Sequence, residues 1–185
     1  MSTLNFQTTT IRELIYVSYA NLAMAHSAVT KRQKKYTSIN FIIRARLLNG
    51  LKNKTMTIGT IFEDEKIKLH AGPLCTYCGS TEELTLDHIF PKKKGGKDSA
   101  ENLVLACKSC NSSKGKKDLI EWIIFREKFV PLLIIRRYLK LIFNYCNENE
   151  LLDKTTTELK DIHLPFRADL LPLKYPQPTE LVLHY

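Results

Sequence analysis

Two cysteine pairs, Cys75 with Cys78 and Cys107 with Cys110, stand 28 residues apart and constrain this chain more than any other feature. A two-residue gap lets both sulfurs of a tight knuckle point at one ion. Two such knuckles complete the tetrahedron that Zn²⁺ prefers, with Zn–S near ~2.3 Å. Gly79, directly after Cys78, suits the turn of the first knuckle. Residues 75–118 are short, glycine-punctuated and charged, with little apolar material of their own, and a structural zinc can contribute on the order of 10 kcal/mol to such a centre. Four thiolates leave no open coordination position, so a metal there is structural and any chemistry must come from other residues. Redox-active or simply buried thiols are the competing reading. Cys146 lies in a helical pattern rich in Leu and Ile and reads as core.

On either side the pattern is helical. Thr10 and Glu13 have the form of a capping box, and Ile11, Leu14, Ile15, Leu22 and Ala25 follow at helical spacing, predicting a helix over about 11–29. Ile39, Ile42, Ile43, Leu47 and Leu48 suggest a second helix ending near Gly50, and residues 57–69 a third. Asp118 with Glu121 repeats the cap pattern ahead of Leu119, Trp122, Ile123 and Phe125, and that helix should stop or bend before Pro131. A further helix is expected over 131–147, and the last 21 residues hold four of the seven prolines, which predicts extended chain packed on the surface. The chain therefore divides into an N-terminal helical layer (1–70), a compact centre (71–118) and C-terminal helices with a proline-rich tail (119–185), expected to form one compact unit. The fold class is α+β, mainly helical.

The charge is unevenly placed. Lys and Arg number 28 against 19 Asp and Glu, a net +9, yet residues 14–62 hold eight basic residues and no acid, and residues 88–117 add eight lysines against Asp98 and Glu101. Clustering of this kind favours a polyanionic partner, because each phosphate neutralised releases counterions. Nucleic acid is the natural candidate, although lysine runs are also common as plain solvated surface. The first ten residues lack the basic-then-apolar order of a secretory signal, and Arg126, Lys128, Arg136 and Arg137 interrupt the most apolar region, so no membrane span is expected. These features point to a cytoplasmic protein, where paired cysteines hold metal more readily than they form disulfides.

Between the knuckles the order reads strand (Leu84 to His88), a lysine and glycine loop (Pro91 to Gly96), a second strand (Leu103 to Ala106) and then a helix from about Cys107. Asp87, His88, Asn102 and Asn111 fall at the ends of these elements, where a hairpin packed on a helix lets them converge. The stretches DHIFPKKKGG, ENLVLACKSCN and SSKGKK resemble the HNH nuclease family over residues 75 to about 118. The resemblance implies a ββα-metal core with two zinc knuckles, flanked here by helices. Carried over by position, it implies His88 as general base, Asp87 as metal ligand, Asn102 as the residue that fixes the loop and orients the histidine, and Asn111 as the final motif residue.

Each role has a physical rationale. A neutral imidazole, with a reference pKa near ~6.5, can take a proton from the water that attacks phosphorus. The carboxylate of Asp87 and the amide oxygen of Asn111 are hard ligands suited to Mg²⁺, which retains waters and accepts phosphate oxygens. The family name implies a histidine at the last position, and Asn111 in its place removes a nitrogen ligand that would favour Ni²⁺ or Zn²⁺, so Mg²⁺ or Mn²⁺ is expected. By resemblance the products are a 5′-phosphate and a 3′-hydroxyl. Lys92, Lys93, Lys94, Lys97, Lys108, Lys114, Lys116 and Lys117 are expected at the DNA backbone rather than at base edges. The expectation is a metal-dependent endonuclease acting on DNA; the alternative is a zinc-knuckle module that binds nucleic acid without cutting it.

Overall fold

The structure, a computed structural model, describes residues 9–70, 72–127 and 129–183; residues 1–8, read above for a secretory signal, lie outside it. Among the described residues the elements are six helices and one two-stranded antiparallel sheet: α1 (Ile11–Thr30), α2 (Ser38–Lys52), α3 (Ile61–His70), β1 (Leu84–His88), β2 (Leu103–Cys107), α4 (Lys108–Lys114), α5 (Leu119–Arg126) and α6 (Leu132–Glu148). The fold is α+β and mainly helical. None of these helices is long and apolar enough to cross a membrane.

Helix α1 starts where the sequence says it should. The Thr10 hydroxyl accepts from the Glu13 amide at 3.3 Å and the Glu13 carboxylate accepts from the Thr10 amide at 3.3 Å, satisfying two of the amides a helix start leaves open. Its buried residues, among them Ile11, Leu14, Leu22 and Ala25, face α2 and α6. Helix α2 forms as expected, but the stripe that suggests it faces solvent: Ile39 is 54% and Ile42 62% exposed, while Asn40, Gly50 and Leu51 are buried. Asn40, Leu47 and Leu51 share the ridge turned to α1, about a quarter-turn from Ile39 and nearly half a turn from Ile42. Asn40 also fixes the helix start by accepting from the Thr37 amide at 2.8 Å.

Helix α6 follows Pro131 and joins the layers. On one side Asp64 of α3 accepts from Arg136 Nε at 2.6 Å and lies 2.8 Å from Lys140. On the other, Arg137 pairs with Glu65 and donates to the carbonyls of Ala100 and Glu101 at 3.0 and 2.8 Å. Arg137 thus steadies the turn that leads into Asn102. Beyond residue 150 the described tail carries short 3₁₀ turns and one isolated bridge, from Thr155 to Thr10. It lies along α1, where Ser18 and Asn21 donate to the carbonyls of Pro172 and Leu173 at 2.9 and 2.8 Å. One contiguous apolar cluster includes Ile11, Tyr77, Phe90, Trp122 and Ile142.

Candidate active site and metal centre

The hairpin register pairs Asp87 with Val104 and His88 with Leu103. Strand alternation then turns Asp87 and the buried Val104 and Ala106 to one face, against α4. The connection between the strands is held by Asn102. Its side-chain oxygen accepts from the Phe90 amide at 2.8 Å, and its Nδ2 donates to the carbonyls of Phe90 and Lys97 at 2.9 and 2.8 Å. Only glycine fits at position 96 in this closure, because a Cβ there would sit 1.9 Å from the Phe90 carbonyl oxygen. Gly95 takes a left-handed φ of 91° to turn the lysine loop back.

The four thiols gather as the spacing predicts, with Sγ atoms all within 4.8 Å of one another. The Cys78 and Cys107 sulfurs are 3.7 Å apart, close to the ~3.8 Å edge of a tetrahedron with ~2.3 Å from centre to corner. Two backbone bonds shape the first knuckle, Gly79 to Cys75 and Cys75 to Ser80, both 2.8 Å, and a third, Thr76 to Leu105 at 2.8 Å, fastens it to β2. The donor set fits a closed, soft metal site. Cys146 lies apart, fully buried in the core, and burial pushes its thiol up to about 12.

Asp87 is 6% exposed and held from two sides. The Tyr77 hydroxyl donates to its Oδ2 at 2.7 Å, and Lys114 Nζ lies 3.0 Å from Oδ2 and 3.3 Å from Oδ1. Asn111, one turn earlier on α4, places its Nδ2 against Thr85 Oγ1 at 2.9 Å and the Leu86 carbonyl at 3.2 Å, leaving its Oδ1 available as an acceptor. An acid and an amide oxygen therefore lie on adjoining elements, β1 and α4. His88 is half-buried at the strand end, with Nε2 2.8 Å from Asp98 Oδ1. Asp98 in turn accepts from Lys92 at 3.0 Å, and these two contacts, His88 first, hold its carboxyl below the ordinary range.

Two placements differ from the sequence expectations, and two further residues have none. The ring of His88 is held by Asp98, whereas the Asn102 amide reaches only backbone groups of Phe90 and Lys97. Lys114, expected at the DNA backbone, is fully buried, because its place one helical turn beyond Asn111 aims it at Asp87 and at the His88 carbonyl, to which it donates at 2.6 Å. Tyr77 and Asp98 carry no role in the motif reading. Tyr77 has one local sign, an aromatic inside a knuckle whose cysteines are committed elsewhere; Asp98 has none beyond being an acid within a lysine loop. Of the other lysines, Lys92, Lys93, Lys97, Lys108 and Lys116 are exposed and Lys94 and Lys117 half-buried. Lys94, Lys97 and Lys108 lie near Glu121, Glu148 and Glu83 at 3.5, 3.1 and 3.8 Å, and Lys117 sits 5.0 Å over the Phe125 ring.

A buried-acid hairpin closed by an asparagine and packed on a short helix, beside a four-thiol cluster, defines a ββα unit with a metal-centre scaffold. Residues 75–117 match the family model described as HNH endonuclease, so the chain carries an HNH endonuclease domain there. Over 52 residues the chain is 40% identical to the CRISPR-associated endonuclease Cas9 of Corynebacterium diphtheriae, a match covering 26% of this chain and 5% of that protein. The chain thus spans a small fraction of the relative it matches. No solved structure matches it.

Proposed function

We propose that this protein is a metal-dependent endonuclease that hydrolyses DNA phosphodiester bonds. His88 acts as general base and Asp87 with Asn111 holds a divalent cation, Mg²⁺ or Mn²⁺, while Cys75, Cys78, Cys107 and Cys110 hold a structural zinc. The observation that supports the reading is the HNH match over residues 75–117, within which β1 ends on Asp87 and His88 and α4 carries Asn111.

The side chains divide the work. Asp98 accepts from the His88 ring at Nε2, which leaves Nδ1 as the nitrogen to take a proton from the attacking water. The negative charge of Asp98 then steadies the imidazolium that forms. Tyr77 fixes the rotamer of Asp87, and Asn102 fixes the loop that carries the chain away from His88. When bound, the divalent cation supplies charge stabilisation for the phosphate and the departing 3′-oxygen. The exposed Lys92, Lys93, Lys97 and Lys116 contact the DNA backbone and provide affinity without sequence information.

The test is cleavage of supercoiled plasmid by the purified full chain, with and without added Mg²⁺ or Mn²⁺. Metal-dependent nicking to products bearing 5′-phosphates is expected; binding without cleavage under either metal contradicts the reading.

A further inference from the structure

The nuclease mechanism above gives no task to Lys114. Its side chain is 0% exposed, and its ammonium lies 3.0 Å from the Asp87 carboxylate and 2.6 Å from the His88 carbonyl. Lysine is almost never fully buried unless paired, and here its partner is the acid assigned to the divalent cation. The surroundings shape what that pairing does. Ion pair and amide together bring no net negative charge to the site, since Asp87 and Lys114 cancel and Asn111 is neutral. A dication entering beside a buried ammonium meets a repulsion that bulk water does not screen. A phosphodiester docked at the same place brings negative charge of its own and offsets that ammonium.

We infer that Lys114 is an internal counter-cation to Asp87 that keeps divalent-cation affinity low in the free protein and makes loading of the site depend on a bound phosphodiester. This rests on Asp87 and Asn111 being the divalent-cation ligands. Tyr77 completes the arrangement by holding Asp87 Oδ2 from the other side at 2.7 Å, so the carboxylate keeps its orientation whether its charge partner is the ammonium or the metal. Linkage requires the coupling to be reciprocal: the factor by which DNA tightens the metal is the factor by which the metal tightens DNA. The metal ion is thereby held in place chiefly while a strand is available to cut.

Mn²⁺ binding, read by electron paramagnetic resonance on zinc-loaded full-length protein, tests this. His88→Ala serves as the parent to prevent turnover, and each protein is titrated with and without a short DNA duplex. The parent is expected to bind Mn²⁺ at least about tenfold more tightly with duplex than without. Adding Lys114→Met, which removes the charge but keeps an apolar stem, is expected to tighten Mn²⁺ at least about tenfold without duplex and to shrink the duplex effect. Lys114→Gln is expected to move the same way and serves if the Met variant fails to fold. Unchanged or weaker Mn²⁺ binding on loss of the charge, with zinc content and circular dichroism intact, overturns the inference alone, because the parent still binds the ion. Mn²⁺ binding that is absent from the parent even with duplex, or that is indifferent to Asp87→Asn, overturns the ligand assignment and the inference with it.

Discussion

The Tyr77 hydroxyl donates to the Asp87 carboxylate at 2.7 Å, tying the interior of the first cysteine knuckle to the acid that precedes the candidate base. Tyr77 is fully buried against Trp122, ring centroids 4.9 Å apart at 74°, and burial together with the neighbouring carboxylate drives its hydroxyl well above the ordinary tyrosine range. The phenol therefore stays protonated and acts as a permanent donor. In the proposed enzyme the thiol cluster and the catalytic acid are mechanically one piece.

Tyr77→Phe removes that donor while keeping the ring in its packing. A hydrogen bond to a charged group contributes about 1.5–3 kcal/mol, so plasmid nicking should slow by roughly ten- to a hundredfold. Zinc content measured by atomic absorption should stay at about one per chain. Loss of zinc alongside activity would instead mean that Tyr77 serves the knuckle.

Asp98→Asn tests the histidine partner. The substitution keeps the side chain's size and removes the charge that steadies a protonated ring, and nicking should fall by about tenfold or more with DNA binding unchanged. Asp98 is exposed, so its removal should leave thermal unfolding close to that of wild type. Equal nicking by both proteins would leave Asp98 a surface acid.

Much of this architecture is legible in the chain before folding, and for a shared reason. The cysteine spacing, the cap pairs Thr10 with Glu13 and Asp118 with Glu121, and the two short strands are set by residues a few positions apart, whose geometry follows from local backbone rules. The pairs Tyr77–Asp87, His88–Asp98 and Lys114–Asp87 are 10, 10 and 27 positions apart in the sequence. They exist only once the loop closes and α4 docks on β1. Lys114 shows the difference most clearly: in sequence it belongs to the lysine run SKGKK, yet helical phase turns it inward while Lys116 stays exposed. Helix α2 fails in the same way, since periodicity locates the helix but not which of two candidate ridges meets α1.

Gly96→Ala should be severe despite adding only a methyl group. Its Cβ would meet the Phe90 carbonyl oxygen at 1.9 Å and the Asn102 amide nitrogen at 3.0 Å, and neither can move without opening the loop. Overpacking of this kind costs on the order of 3 kcal/mol, read as an earlier urea midpoint with nicking reduced. A wild-type midpoint would show that the loop closes differently.

Asp118 predicts a pH dependence. Burial pushes its carboxyl up from the ordinary value, against hydrogen bonds from Tyr138 and from the Glu121 and Ile120 amides. A carboxyl raised in the folded state contributes stability that is whole below the unfolded pKa near ~3.9 and is lost as pH climbs through the folded value. Asp118→Asn keeps a capping side chain but does not titrate. The unfolding free energy of wild type minus that of the variant should therefore fall as pH rises above about 4, and level off once the folded carboxyl has ionised. Urea melts across that window check it, and a difference that rises with pH contradicts it.

His88 is the residue assigned the chemistry, and removing its ring separates cutting from binding. Wild type and His88→Ala, both zinc-loaded, are incubated with supercoiled plasmid and Mn²⁺ while duplex binding is followed in parallel. Binding is expected to survive while nicking falls by about a hundredfold or more. Equal nicking by the two proteins would contradict that assignment.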